Sequence, residues 1–87
     1  MNNTPQNRVI GNLLSGARDK LLREDTATRQ LSDTYLAATD RANAAAGTPE
    51  GAQTALDAAK ALADYNDMAQ KYAETLQLVE NLMNAFQ

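Results

Sequence analysis

Eighty-seven residues, 44% of them hydrophobic, with a formal net charge of −3 and neither Cys nor His, describe one small domain. The missing Cys excludes disulfides and thiolate chemistry, and the absence of both residues removes the usual zinc ligands, leaving carboxylates to hold any metal. No run of 18 apolar residues is present, so no segment is expected to span a membrane, and Met1-Asn2-Asn3-Thr4 before Pro5 lacks the basic-then-apolar pattern of a secretory signal.

The charge is unevenly spread. Residues 1–46 hold six Lys/Arg against five acids and residues 47–87 hold two against six, so the halves stand at about +1 and −4. Such asymmetry favours side-by-side packing of the halves, within or between chains, and it argues against nucleic acid, which would want a basic face.

In chain order, residues 1–7 are polar with a proline and read as a flexible, extended lead to a single helical domain over 8–87. A first helical pattern runs from about Arg8 to Ala46. Ile10, Leu13, Ala17 and Leu21 form one half of an apolar stripe, and Leu31, Tyr35, Ala38 and Ala42 continue it in phase. Between the halves the stripe carries Glu24 and Thr28, inside the polar run 23–29. Asp25 or Thr26 could cap a new helix there, which leaves a kink or break near Asp25 open against one long helix. Asp19/Arg23 and Asp25/Arg29 are i,i+4 pairs in the favourable order on either side.

The clearest punctuation is the turn Gly47-Thr48-Pro49. Gly47 sits where a helix C′ residue with positive φ would be, Thr48 is a good N-cap and Pro49 suits the first helical position. So short a link predicts an antiparallel two-helix hairpin, with Ala38, Ala42 and Ala45 facing Ala52, Ala55 and Ala59 in close approach.

The second helix shows two differently built sides. Ala55, Ala58, Leu62, Tyr65, Ala69, Tyr72, Leu76, Val79, Met83 and Phe86 recur in steps of three and four and share one face. Roughly opposite lie Asn66, Gln70, Glu74, Gln77, Asn81 and Asn84, nearly all amides where a solvated helix face ordinarily favours Lys and Glu. This strip is either a solvent face that happens to be amide-rich or a wall that is wet without attracting or repelling charge. Toward the C-terminus Leu78 and Leu82 widen the apolar arc to something like 160°, more than one partner helix covers. A lone hairpin of this size, with no disulfide or metal, is an incomplete structure, and oligomerisation is the usual remedy. The expected subunit interface is Leu62, Tyr65, Tyr72, Leu76, Leu78, Val79, Leu82, Met83 and Phe86.

Catalytic, cofactor-binding and metal-binding residues are not expected. Asp64 and Asp67, at i,i+3, could share a cation or act as an acid/base pair, but no histidine accompanies them and solvated surface is the simpler reading. Tyr65 and Tyr72 read as packing, and Ser15 and Ser32 have no base near them in any motif. The acidic second helix also departs from interfacial membrane helices, which carry Lys/Arg on the polar face.

The Pro-containing turn, Leu62-Ala63-Asp64-Tyr65-Asn66, the Ala69-Gln70 step and the ending Met83-Asn84-Ala85-Phe86-Gln87 together resemble the needle proteins of bacterial type III secretion systems. They are also similar to the C-terminal part of the inner-rod proteins. The likeness covers residues 44–87 and departs in the turn, where needle proteins show two prolines and this chain has Pro49 alone. The resemblance implies a homopolymeric subunit of a hollow helical filament that conducts unfolded effector chains and contacts other proteins of the apparatus. It implies export without a cleavable signal peptide, from the cytoplasm to the bacterial surface or an extracellular filament. By the same resemblance Asn66, Gln70, Gln77, Asn81 and Asn84 map to the lumen wall, an uncharged wet surface that neither traps nor excludes passing chains. The other expectation, from a different class, is a small helical adaptor or co-chaperone whose apolar C-terminal helix is covered by one partner.

Overall fold

A computed structural model describes residues 4–86 as an antiparallel hairpin of two long helices, α1 (Pro5–Ala45) and α2 (Gly51–Ala85), with no strand among them. It measures 66 × 14 × 12 Å along its principal axes.

Helix α1 starts earlier than its apolar pattern suggests. The Thr4 side chain accepts the Asn7 backbone N–H at 3.1 Å and Pro5 takes the first helical position, where its missing N–H costs nothing. Thr4–Asn7, expected as part of a flexible lead, therefore cap and begin the helix, and residues 1–3 of that lead lie outside the described residues. Nor does α1 break at the polar run. The Thr28 hydroxyl donates back to the Glu24 carbonyl at 2.7 Å, so it satisfies the running helix instead of capping a new one. Asp25 pairs with Arg29 at 3.3 Å; the other expected pair, Asp19 with Arg23, does not close to that range. Forty-one residues at about 1.5 Å each span about 60 Å, which fits the long axis of the molecule without a kink.

The link is two tight turns in series. Ala46 at φ −57°, ψ 130° and Gly47 at φ 80° make a type II turn, closed by the Thr48 N–H donating to the Ala45 carbonyl at 2.9 Å; the positive φ there requires glycine. Pro49 and Glu50 (φ −84°, ψ −4°) occupy the centre of the next, closed by Gly51 N–H to Thr48 carbonyl at 3.0 Å. Thr48 is thus not the N-cap expected of it. Its hydroxyl donates to the Ala45 carbonyl, and α2 starts at Gly51 behind Glu50, whose side chain makes no capping bond. Gly51 is needed for a different reason, since a Cβ there would stand 3.0 Å from the Ala45 carbonyl oxygen.

Apart from the half-buried Gly11, Asp25, Ala27, Ser32, Thr39 and Ala69, shielded positions recur with strict alternation of three and four on both helices, the spacing of a coiled coil. On α1 they are Asn7, Ile10, Leu14, Ala17, Leu21, Glu24, Thr28, Leu31, Tyr35, Ala38, Ala42 and Ala45; on α2 they are Gly51, Thr54, Ala58, Ala61, Tyr65, Met68, Tyr72, Thr75, Val79 and Leu82, with Phe86 next in phase. The register follows from Ala45 beside Gly51 at one end and Phe86 against Gly11 at the other, which sets Ala17 level with Val79, Leu21 with Thr75 and Leu31 with Tyr65. On α1 the expected stripe is the seam except that Leu14 replaces Leu13. On α2 half of it is not. Ala55, Leu62, Ala69, Leu76 and Met83 lie on a flank, and their seam places go to Thr54, Ala61, Met68, Thr75 and Leu82. The facing alanines are corrected likewise: Ala58 and Ala61 enter the seam, while Ala52, Ala55 and Ala59 are exposed.

This seam is thin. Ala17, Ala38, Ala61 and Val79 are its buried apolar residues, and among the described residues no large side chain is fully buried. It is also polar in the middle, where one carboxylate oxygen of Glu24 is shielded from water with no hydrogen-bond partner. An orphaned buried polar atom costs about 1–3 kcal/mol. Glu24→Met is accordingly expected to stabilise the hairpin by about 1–2 kcal/mol, read as a rise of several degrees in Tm by circular dichroism in dilute solution.

Candidate functional site

The feature left over once the hairpin is assembled is a surface. At about 100° per residue, positions four after Ala58, Tyr65, Tyr72 and Val79 fall to one side of the seam and positions one before them fall to the other. The first side of α2 carries Leu62, Ala69, Leu76 and Met83, the three large ones 36–51% exposed, with Glu80 between the last two. Leu22 and Leu36 of α1, also exposed, lie on this side, Leu22 within two residues of level with Leu76 and Leu36 within two of level with Leu62. Both pairs are 14 residues apart, about 21 Å along the helices, and on α1 the Asp25–Arg29 ion pair lies between the two leucines.

The opposite side is where α2 keeps its charge. Asp57, Lys60, Asp64, Asp67, Lys71 and Glu74 all fall there, leaving Glu80 as the one charged residue elsewhere on the helix. Two clefts on this side are lined by mixed charge, Arg41 with Asp57, Lys60 and Asp64, and Lys20 with Glu24, Lys71 and Glu74. Toward the open end it turns apolar, at Leu13, Gly16, Leu78 and Leu82. Asp64 lines the first cleft without Asp67, and among the described residues no three metal-binding side chains come together. Among the described residues no helix is long and apolar enough to cross a membrane.

The expected interface divides. Val79 is buried in the hairpin itself at 5% exposure, and Tyr65, Tyr72 and Leu82 are half-buried there, so these four are committed to the fold. Leu62, Leu76, Leu78, Met83 and Phe86 remain exposed and available, Leu78 on the charged side and Phe86 at the open end over Gly11. The amide strip is exposed throughout: Asn66, Gln70, Gln77, Asn81 and Asn84 lie on the back of α2, and Gln77 donates to Asn81 at 3.0 Å. The turn residues Gly47, Thr48 and Pro49 are exposed at the closed end. Sequence reasoning missed the α1 leucines Leu22 and Leu36. Their signal was the same 14-residue step as Leu62 and Leu76, hidden because neither lies on the main stripe of its helix. Comparison with known proteins finds no match among protein families, curated proteins or solved structures.

Proposed function

We propose that this chain is a structural subunit that completes its core by packing against copies of itself, in a helical filament of the kind the type III secretion needle or inner-rod resemblance implies, serving as a conduit for unfolded proteins. The observation that carries the reading is the apolar flank of α2. Leu62, Leu76 and Met83 stand exposed along about 30 Å of a rigid helix whose seam already holds α1. Large apolar side chains left exposed at a regular step along a helix mark a contact site, and a small chain in which, among the described residues, no large side chain is fully buried has most to gain from covering them. The amide strip on the back of α2 fits the wet wall of such a conduit, since amides keep water without presenting a fixed charge.

Electron microscopy of the purified chain tests this. Long, uniform fibres are expected on standing. Phe86→Asp is expected to abolish them and Asn81→Ala to leave them intact, because Phe86 exposes a ring at the open end whereas Asn81 already faces water. A chain that stays a monomer at high concentration refutes the reading, and a soluble one-to-one complex with another protein assigns the flank to an adaptor instead.

A further inference from the structure

Resting on the reading of self-packing, we infer that the first contact is a closed antiparallel pair, in which the flank of α2 and the Asp25/Arg29 turn of α1 meet the same surface of a second copy about a twofold axis. The first argument is size. On α2 a run of positions in steps of three and four from 52 to 83 lies one residue beyond each seam position and repeats its coiled-coil spacing. Its members are Ala, Leu or Met except for Asn66 and Glu80. Laid against itself in the opposite direction, the run is complementary. Setting Ala59 opposite Leu76 of the second copy also sets Ala52 opposite its Met83 and Ala73 opposite its Leu62, so every large side chain of the run meets an alanine. That register puts the twofold axis between residues 67 and 68.

The second argument is charge, and it comes from the other helix. Asp25 and Arg29 pair at 3.3 Å on this side of α1, with the arginine side chain 79% exposed and the aspartate 36%. An axis midway between them, at residue 27, sets Arg29 against Asp25 of the second copy and Asp25 against its Arg29, closing four charges into a neutral ring. The hairpin register sets residue 27 level with residue 69, within two residues of the axis fixed by the alanines and leucines of α2. A pattern of size and a pattern of charge thus fall on one axis. Leu22 and Leu36, seven residues to either side of Arg29, are covered by the same contact. Arg8, Arg18 and Glu80, the other charges of this face, stand nine or more residues from the axis, where their long side chains reach water. The third argument is area. The run is about 45 Å long and, with α1 beside α2, the face is about 20 Å wide, so each copy offers about 900 Å² against the roughly 800 Å² per partner of a standard stable interface. The pair is isologous and closes on itself. Leu78, on the charged side, and Phe86, past the end of the run, stay outside it and are left for growth of a filament.

Charge reversal tests the axis, read by sedimentation at low concentration with circular dichroism in parallel. The wild-type chain is expected to be a dimer. Asp25→Arg alone and Arg29→Asp alone each set like charges face to face and are expected to be monomers of wild-type helicity, whereas the two mixed are expected to form one-to-one pairs. Size reversal tests the register independently: Ala59→Leu is expected to weaken the dimer at least tenfold and Ala59→Leu with Leu76→Ala to restore it. If either charge variant dimerises like the wild type, or if the mixture and the size swap both fail to restore pairing, this dimer is wrong while self-assembly still stands. If the wild-type chain never associates at any concentration, the self-assembly reading fails and the dimer with it.

Discussion

Val79→Asp is expected to abolish the cooperative melt of the hairpin. Val79 is 5% exposed, lies in the seam level with Ala17, and is, among the described residues, the one buried apolar side chain larger than alanine. An aspartate there loses about 1.5–3 kcal/mol of apolar burial and adds an uncompensated carboxylate, a further cost of about 3–5 kcal/mol. Proteins of this size are stable by about 5–15 kcal/mol, and a hairpin with so little buried sits at the low end, so the folded population is lost. The control is Leu76→Asp. Leu76 is three residues away and 36% exposed, so the same chemical change keeps the helical signal and the melt while removing association. Circular dichroism against temperature, with sedimentation in parallel, separates the two. Equal unfolding in both variants would show that flank and seam are not distinct.

Why that distinction was not visible beforehand is a matter of geometry. The three-and-four pattern on α2 passes through Ala58, Tyr65, Tyr72 and Val79 whichever neighbours complete it. With Leu62, Leu76 and Met83 it points to one side; with Ala61, Met68, Thr75 and Leu82 it points to the other. Hydrophobicity alone favours the first set, because Thr75 is polar and Ala61 is weakly apolar. The packed seam takes the second, hiding Thr75 to 4% exposure. Backbone position in the hairpin, fixed by the double turn, decides what propensity could not. The two-helix architecture and the turn at Gly47 were legible because they rest on local spacing and on glycine's access to positive φ. The unbroken α1 was not, since the side-chain bonds of Thr28 and Asp25 that carry the helix through the run could equally have ended it.

Ala38→Leu is expected to destabilise the hairpin by about 3 kcal/mol, at the upper end of what overpacking costs. Ala38 is 2% exposed, the most buried of the described residues, and the register sets it level with Ala58, with Ala61 lining the same cleft. The seam around it is built of Ala42, Ala45, Gly51, Thr54 and Ala58, so the helix axes stand close and no facing side chain is long enough to yield. Three extra carbons force the helices apart at the closed end, where Gly51 already meets the Ala45 carbonyl and the double turn fixes the spacing. Ala55→Leu, on the exposed flank, is expected to stay within about 0.5 kcal/mol of the native chain, although the sequence pattern alone sets Ala55 against α1. Urea unfolding at low concentration gives both values. A neutral Ala38→Leu would mean that the closed end is loosely packed. That outcome would undercut the fixed spacing of Leu36 and Leu62, because α1 and α2 hold a set distance at this end only if the turn packs them together.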